Sequence, residues 1–171
     1  MNGMNDQDEN YSPFYGKYRG VVTDNDDPNG LGRIRVKVQD VLGDQESGWA
    51  LPALPYAGDG VGLYLIPPVD AFVWVEFEHG EPDYPIWTGC FWLTSTTVPE
   101  EASGPDIKLL KTDIATITID DSDSDSSITI ETTNNLKIVM DTDGIEISNG
   151  GQKITLSSAS VSVNDGALEV T

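Results

Sequence analysis

The sequence predicts an all-β chain: a small OB-type β-barrel followed by a trimeric, triple-stranded β-helix or β-prism. Three observations carry that expectation. Short segments rich in β-branched and aromatic residues recur, and no stretch shows convincing helical periodicity. All 14 aromatic residues lie between Tyr11 and Trp92, and all 10 prolines lie at or before Pro105, so the chemistry of the chain changes part-way along. Beyond that step, apolar-x-apolar triplets return every 7 to 11 residues.

Residues 1 to 15 read as a flexible amino-terminal segment, residues 16–93 as the barrel, 94–106 as a linker and 107–171 as the intertwined trimeric spike-like repeat. Five segments in the first half have strand character: Tyr18 to Thr23 (YRGVVT), Arg33 to Val38 (RIRVKV), Val61 to Ile66 (VGLYLI), Phe72 to Glu78 (FVWVEFE) and Pro85 to Trp92 (PIWTGCFW). Each is bounded by Gly, Pro, Asn or Asp. RIRVKV alternates strictly, which puts Ile34, Val36 and Val38 on one face and Arg33, Arg35 and Lys37 on the other. Short strands with large aromatics to fill the interior suit a small closed barrel, of OB type or, as the rival, SH3-like. The stretch TSTTVPEEASGPD then has the composition of a linker.

The second half repeats one pattern. Its triplets are Ile117/Ile119, Ile128/Ile130, Leu136/Ile138 continuing to Met140, Ile145/Ile147, Ile154/Leu156, Val161/Val163 and Leu168/Val170, with turn residues between. Each triplet sends two apolar side chains to one face and one polar side chain to the other. A single chain then offers a thin apolar stripe without an aromatic residue. Ordering the backbone costs roughly 1 to 2 kcal/mol per residue, which such a stripe cannot offset alone. Three copies about one axis solve this, because Ile and Val from three chains meet at the centre. Seven layers at about 4.8 Å would make a prism about 34 Å long.

Composition narrows the function. Lys+Arg 9 against Asp+Glu 29 gives a formal charge of -20, which opposes binding to phosphate backbones or anionic lipid and favours solubility or a saline setting. The apolar runs are short and broken and the amino terminus is acidic, so neither a membrane span nor a Sec-type leader is expected. A single cysteine, Cys90, and a single histidine, His79, remove disulfide frameworks and most catalytic or metal constellations. The expectation is a non-enzyme with no cofactor.

Gly20 to Val38 (GVVTDNDDPNGLGRIRVKV), Trp49 to Pro52 (WALP), Pro67 to Val69 (PPV) ahead of Val73 to Phe77 (VWVEF), and Asp83 to Gly89 (DYPIWTG) together resemble a known family. It is the central spike of contractile injection machines: the phage baseplate assembly protein V group and the carboxy-terminal part of VgrG proteins. Asp27, Pro28, Gly30, Gly32 and Arg33 carry the barrel motif, and Lys111-Thr112 followed by Ile117 to Asp121 (ITIDD) is similar to the onset of the family's β-helix. The resemblance implies a homotrimeric structural spike that docks on a hub and pierces a target envelope by force transmission, with baseplate and inner-tube components as further partners. It also implies a PAAR-type tip protein on the last strand, at Leu168, Glu169, Val170 and Thr171. No nucleic-acid partner is expected. The implied location is assembly in the cytoplasm and then a virion or an extracellular or cell-anchored particle. No lysozyme domain separates barrel from repeat, and no fused hub domain is seen, so a separate hub is implied. Ala115-Thr116 stands where the family often has Gly-His, and no His-x-His is present, so no tip metal is expected.

Other constellations have plainer readings. Asp24 to Gly30 offers oxygen ligands for calcium, yet reads as a turn in which Gly30 and Gly32 permit positive φ. Asp121 to Asp125 resembles the opening of an EF-hand loop, but Ser126 stands where Gly is needed and Thr132 where the bidentate Glu belongs. Arg33, Arg35 and Lys37 form a basic strand face that, on an OB barrel, would suit single-stranded nucleic acid; pairing with neighbouring acids is the alternative. Glu76, Glu78 and Glu81 around His79 lack a nucleophile. Cys90 reads as a core residue. Two further classes stay in view: an OB-fold binding module for single-stranded nucleic acid or oligosaccharide with an acidic solenoid tail, and a calcium-dependent adhesin.

Overall fold

A computed structural model describes residues 13–124 and 126–171. The expected flexible segment falls outside the described residues except for its last three positions, and so does Asp125. The chain is almost wholly β and divides into two compact units between Ser95 and Thr96.

The first unit has seven strands: β1 (Tyr18–Asp24), β2 (Arg35–Lys37), β3 (Leu51–Pro52), β4 (Ala57–Gly58), β5 (Val61–Gly62), β6 (Phe72–Phe77) and β7 (Pro85–Cys90). Five of them form one sheet in the order β2-β1-β6-β7-β3, antiparallel except for the parallel pair β3 and β7. The outer strands meet, because the Ile34 N–H donates to the Ala50 carbonyl at 3.2 Å and the Ala50 N–H donates back to Ile34 at 2.8 Å. The sheet closes into a five-stranded ring, the OB arrangement.

Alternation fills the ring. Val22 of β1, Ile34, Val36 and Val38 around β2, and Val73 and Val75 of β6 are fully buried, and Phe77 and Trp87 nearly so. Each such side chain contributes about 1.5 to 3 kcal/mol by leaving water. The Trp87 indole N–H donates to the Gly32 carbonyl at 3.2 Å, so its buried polar edge is satisfied. Phe14, Tyr18 and Phe77 meet edge-on or tilted, with ring centroids 5.7 to 6.4 Å apart.

Three readings are corrected here. The run Val61 to Ile66 is not a barrel strand: only Val61–Gly62 pairs, with Ala57–Gly58, in a separate hairpin. Val61, Leu63, Tyr64 and Leu65 are exposed, and of this run Ile66 packs against the barrel core. The fifth barrel strand is instead Leu51–Pro52, which is too short for a periodic signal. A one-turn helix, α1 (Gln39–Leu42), also stands where no helix is expected. Cys90 is exposed and not in the core, because it ends β7 just past Gly89, where the pairing with β6 slips register. Partial burial still pushes its thiol pKa up, the opposite of what a reactive thiol needs.

The second unit is a single antiparallel sheet. It runs through β8 (Ile107–Lys111), β9 (Ala115–Asp120), β10 (Ser127–Thr132), β11 (Lys137–Met140), β12 (Ile145–Ser148), β13 (Lys153–Leu156), β14 (Val161–Val163) and β15 (Leu168–Val170). Sheet order equals chain order, an uninterrupted meander. The turns use residues suited to tight reversal: the Asp141 carboxylate accepts from the Asp143 and Gly144 N–H groups, and the Asn149 side-chain amide oxygen accepts from those of Gly151 and Gln152. Neighbouring strands of one chain satisfy each other's ladders, so this is the prism form of the expected architecture, one sheet thick.

Candidate functional site

The register of the meander aligns the repeat into two columns. One runs Ile119, Ile128, Met140, Ile145, Leu156, Val161, Val170; the other runs Ile117, Ile130, Ile138, Ile147, Ile154, Val163, Leu168. Directly opposed residues share a face, so all fourteen side chains stand on one side of the sheet. Among the described residues of this unit, none covers them. Ile130 and Ile145 are 37% exposed, Ile147 47%, and Leu168 and Val170 61%. A contiguous apolar face of this size marks an interaction surface.

Two details differ from the repeat as read along the chain. Leu136 precedes β11 and lies in the turn, where its carbonyl accepts from Thr132 N–H at 2.9 Å, so it belongs to neither column. The columns also extend one strand further than the triplets suggest. On β8, Leu110 stands opposite Ile117 and Lys108 opposite Ile119, and the Lys108 ammonium pairs with the Asp121 carboxylate at 2.5 Å. IKLLK does not alternate cleanly, which hid this strand. The opposite face carries Thr118, Thr129, Val139, Glu146, Thr155, Ser162 and Glu169 in register, mostly polar. Leu168, Glu169, Val170 and Thr171 form the outer edge, where β15 has a neighbour on one side only.

In the barrel unit, the motif residues make one tight assembly. The Gly30 N–H donates to the Asp27 carbonyl at 2.9 Å, closing a turn over Pro28 and Asn29, with Gly30 at φ 64° and Gly32 at φ 74°. The Asp27 carboxylate, with a side chain only 2% exposed, accepts from the Asn29, Leu31 and Arg33 N–H groups and from the Arg33 guanidinium, at 2.6 Å from Nη2. Arg33, and then these backbone donors, hold its pKa well below the usual carboxylate range. A carboxylate so occupied has no lone pairs left to offer a cation. At φ 74° Gly32 strains any side chain, and a Cβ there would also push Ile66 Cδ1, 2.8 Å away, aside.

The basic strand face is similarly occupied. Arg33 and Arg35 lie over the Trp49 ring, 5.5 and 4.8 Å from its centroid, and Arg35 pairs with Glu46 at 3.0 Å while Thr23 donates to the same carboxylate at 2.6 Å. Glu76 pairs with Lys17 at 3.1 Å, and the His79 side chain is 87% exposed in a one-turn 3-10 segment, so Glu76, Glu78, Glu81 and His79 do not converge. In the β9–β10 turn, the Ser122 N–H donates to the Asp120 carboxylate at 2.9 Å and Asp121 is engaged by Lys108. Among the described residues, no group of three or more His, Cys, Asp or Glu side chains is placed to hold a metal ion, and no helix is long and apolar enough to cross a membrane.

Comparison with known proteins follows the same division. Residues 18–92 match the Type VI secretion system/phage-baseplate injector OB domain, and residues 107–169 match the phage baseplate V C-terminal trimerisation domain. The chain is also 38% identical over 74 residues to the Type VI secretion system spike protein VgrG4b of Pseudomonas aeruginosa. That match covers 41% of this chain and 9% of the relative, so the chain spans a small part of that protein's length. A closed five-stranded barrel, then a meander with one uncovered apolar face, each matched in chain order by a domain of the same assembly: the chain belongs to the phage-baseplate V and VgrG-like spike family.

Proposed function

We propose that this chain is the central spike of a contractile injection machine, a homotrimer that docks on a hub and breaches a target envelope when the machine contracts. The observation that carries the proposal is the pair of apolar columns, fourteen side chains in register that no described residue of their unit covers. Three such sheets, apolar faces inward, bury the columns around one axis. Ile117, Ile119, Ile128, Ile130, Ile138, Met140, Ile145, Ile147, Ile154, Leu156, Val161, Val163, Leu168 and Val170 form that core, with Leu136 at its margin.

The mechanism is transmission of force through a narrow, hydrogen-bonded rod, with no bond cleaved and no cofactor. Residues 16–93 serve as the docking barrel, 94–106 as the linker and 107–171 as the rod. The barrel strands and the segment leading into Tyr18 supply the hub contact. The open edge at Leu168, Glu169, Val170 and Thr171 takes a PAAR-type tip protein, since an uncapped strand edge invites unwanted pairing. The chain assembles in the cytoplasm with baseplate and inner-tube components and meets the target envelope only transiently.

Light scattering on the full chain and on a version ending near Ser103 tests this reading. A trimer that becomes a monomer on losing the tail is expected. A monomeric full-length chain would overturn it.

A further inference from the structure

Four of the acids in the turns of the second unit and three of its lysines lie at opposite margins, although Asp113, Glu131 and Asp165 share the lysine margin. Across the sheet, pairing places Lys111, Thr116, Glu131, Lys137, Ser148 and Lys153 in one column along one lateral margin. The turns on the other margin carry Asp121 and Asp123 between β9 and β10, then Asp141 and Asp143 between β11 and β12, then the uncharged Ser157 to Ser160 between β13 and β14. A ring of three copies is closed by heterologous contacts, so one margin of each sheet meets the other margin of the next. Copies related by a three-fold axis sit at the same height, and therefore each strand's two ends abut at the same level.

That geometry singles out Lys137. It opens β11, and the same strand leads into Asp141 and Asp143 at its far end. Among the described residues of its own chain, Lys137 reaches only Glu131, at 3.9 Å, the loosest pair on this margin. Lys111 is held by Glu101 at 2.5 Å. Lys153, which abuts the uncharged serine turn, is held by Asp165 at 2.7 Å and Glu146 at 3.7 Å in its own chain. Asp143 makes no ion pair among the described residues. The lysine without a close partner and the acid without one thus lie at the same level on opposite margins.

We propose that, in the trimer, Lys137 of each copy pairs with the Asp141 to Asp143 turn of the next copy, so that these corners set the axial register of the three sheets. This rests on the homotrimeric prism proposed above. The apolar columns alone would tolerate a slip by one layer, since Ile, Leu and Val follow one another along both; the charged corners would not.

Zero-length carbodiimide cross-linking of the full-length chain, as an equimolar mixture of isotopically light and heavy copies, tests the pairing. A Lys137 to Asp141 or Asp143 cross-link in mixed light-heavy peptides is expected. Within one chain these groups lie at opposite ends of a strand, about 10 Å of backbone plus a turn apart, beyond a zero-length link. As a second arm, Lys137→Glu should lower the melting midpoint of the trimer, and Lys137→Glu with Asp143→Lys should regain most of that loss. A trimer whose Lys137 links only within its own chain, or whose charge swap recovers nothing, overturns the corner pairing and leaves the trimer standing. A monomer by light scattering overturns the trimer itself.

Discussion

The two units use the same residue types to opposite ends. In the barrel, Val22, Ile34, Val36, Val38, Val73 and Val75 are fully buried inside one chain, whereas in the meander Ile117, Ile119, Ile128 and Ile130 stand 37 to 39% exposed. The difference lies in closure. A ring that joins its first and last strands through Ile34 and Ala50 has an inside, and an open sheet has only faces. Stability in the first unit belongs to the chain, and in the second it belongs to the assembly.

The sharpest way to break this comparison is Ile147→Asp. Three unpaired carboxylates at the centre of a trimer are costly enough to abolish assembly, while the barrel keeps its own melting transition; mass by light scattering and a thermal scan of the same sample check both halves. Next, Trp87→Ala should lower barrel stability by about 3 to 5 kcal/mol, read by denaturant titration, with the trimer retained. Asp27→Asn has a smaller effect with a pH signature. Arg33 and the backbone donors depress the folded pKa of Asp27, so its contribution is complete above the unfolded value near 4 and fades as pH falls toward the folded one. The barrel's melting midpoint should therefore decline below about pH 4, and Asp27→Asn should flatten that decline. Smallest of all, Lys17→Ala removes an exposed pair with Glu76 and should change barrel stability by no more than about 0.5 kcal/mol.

What was legible in the sequence was whatever a local pattern determines. RIRVKV declares its buried face by alternation alone, and the triplets of the tail announce both their strands and their shared face. Partners were less visible. VGLYLI has the β-branched and aromatic composition of a strand, but Val61, Leu63, Tyr64 and Leu65 meet no second layer, which only tertiary pairing reveals. Leu51–Pro52 and Ile107–Lys111 are the reverse cases, strands made by their neighbours, one too short and one too irregular for a period. Leu136 shows the limit within the candidate site: its spacing is right, but the turn takes it, and the paired apolar positions begin at Ile138. That Lys137 and the Asp141 to Asp143 turn stand at opposite margins of one level needed the register and not just the order of residues.

The meander also has a parity. Chain direction reverses at every strand, so each turn stays on its own margin only while strands are added or lost in pairs. Removing one strand would send every later turn to the opposite side and carry Lys153 to the margin of the acids, whereas removing a hairpin would leave all of that in place. An internal change of length therefore keeps every later turn on its margin when it comes in steps of two strands, about 9.6 Å at a time, a coarse ruler whose smallest division is the hairpin.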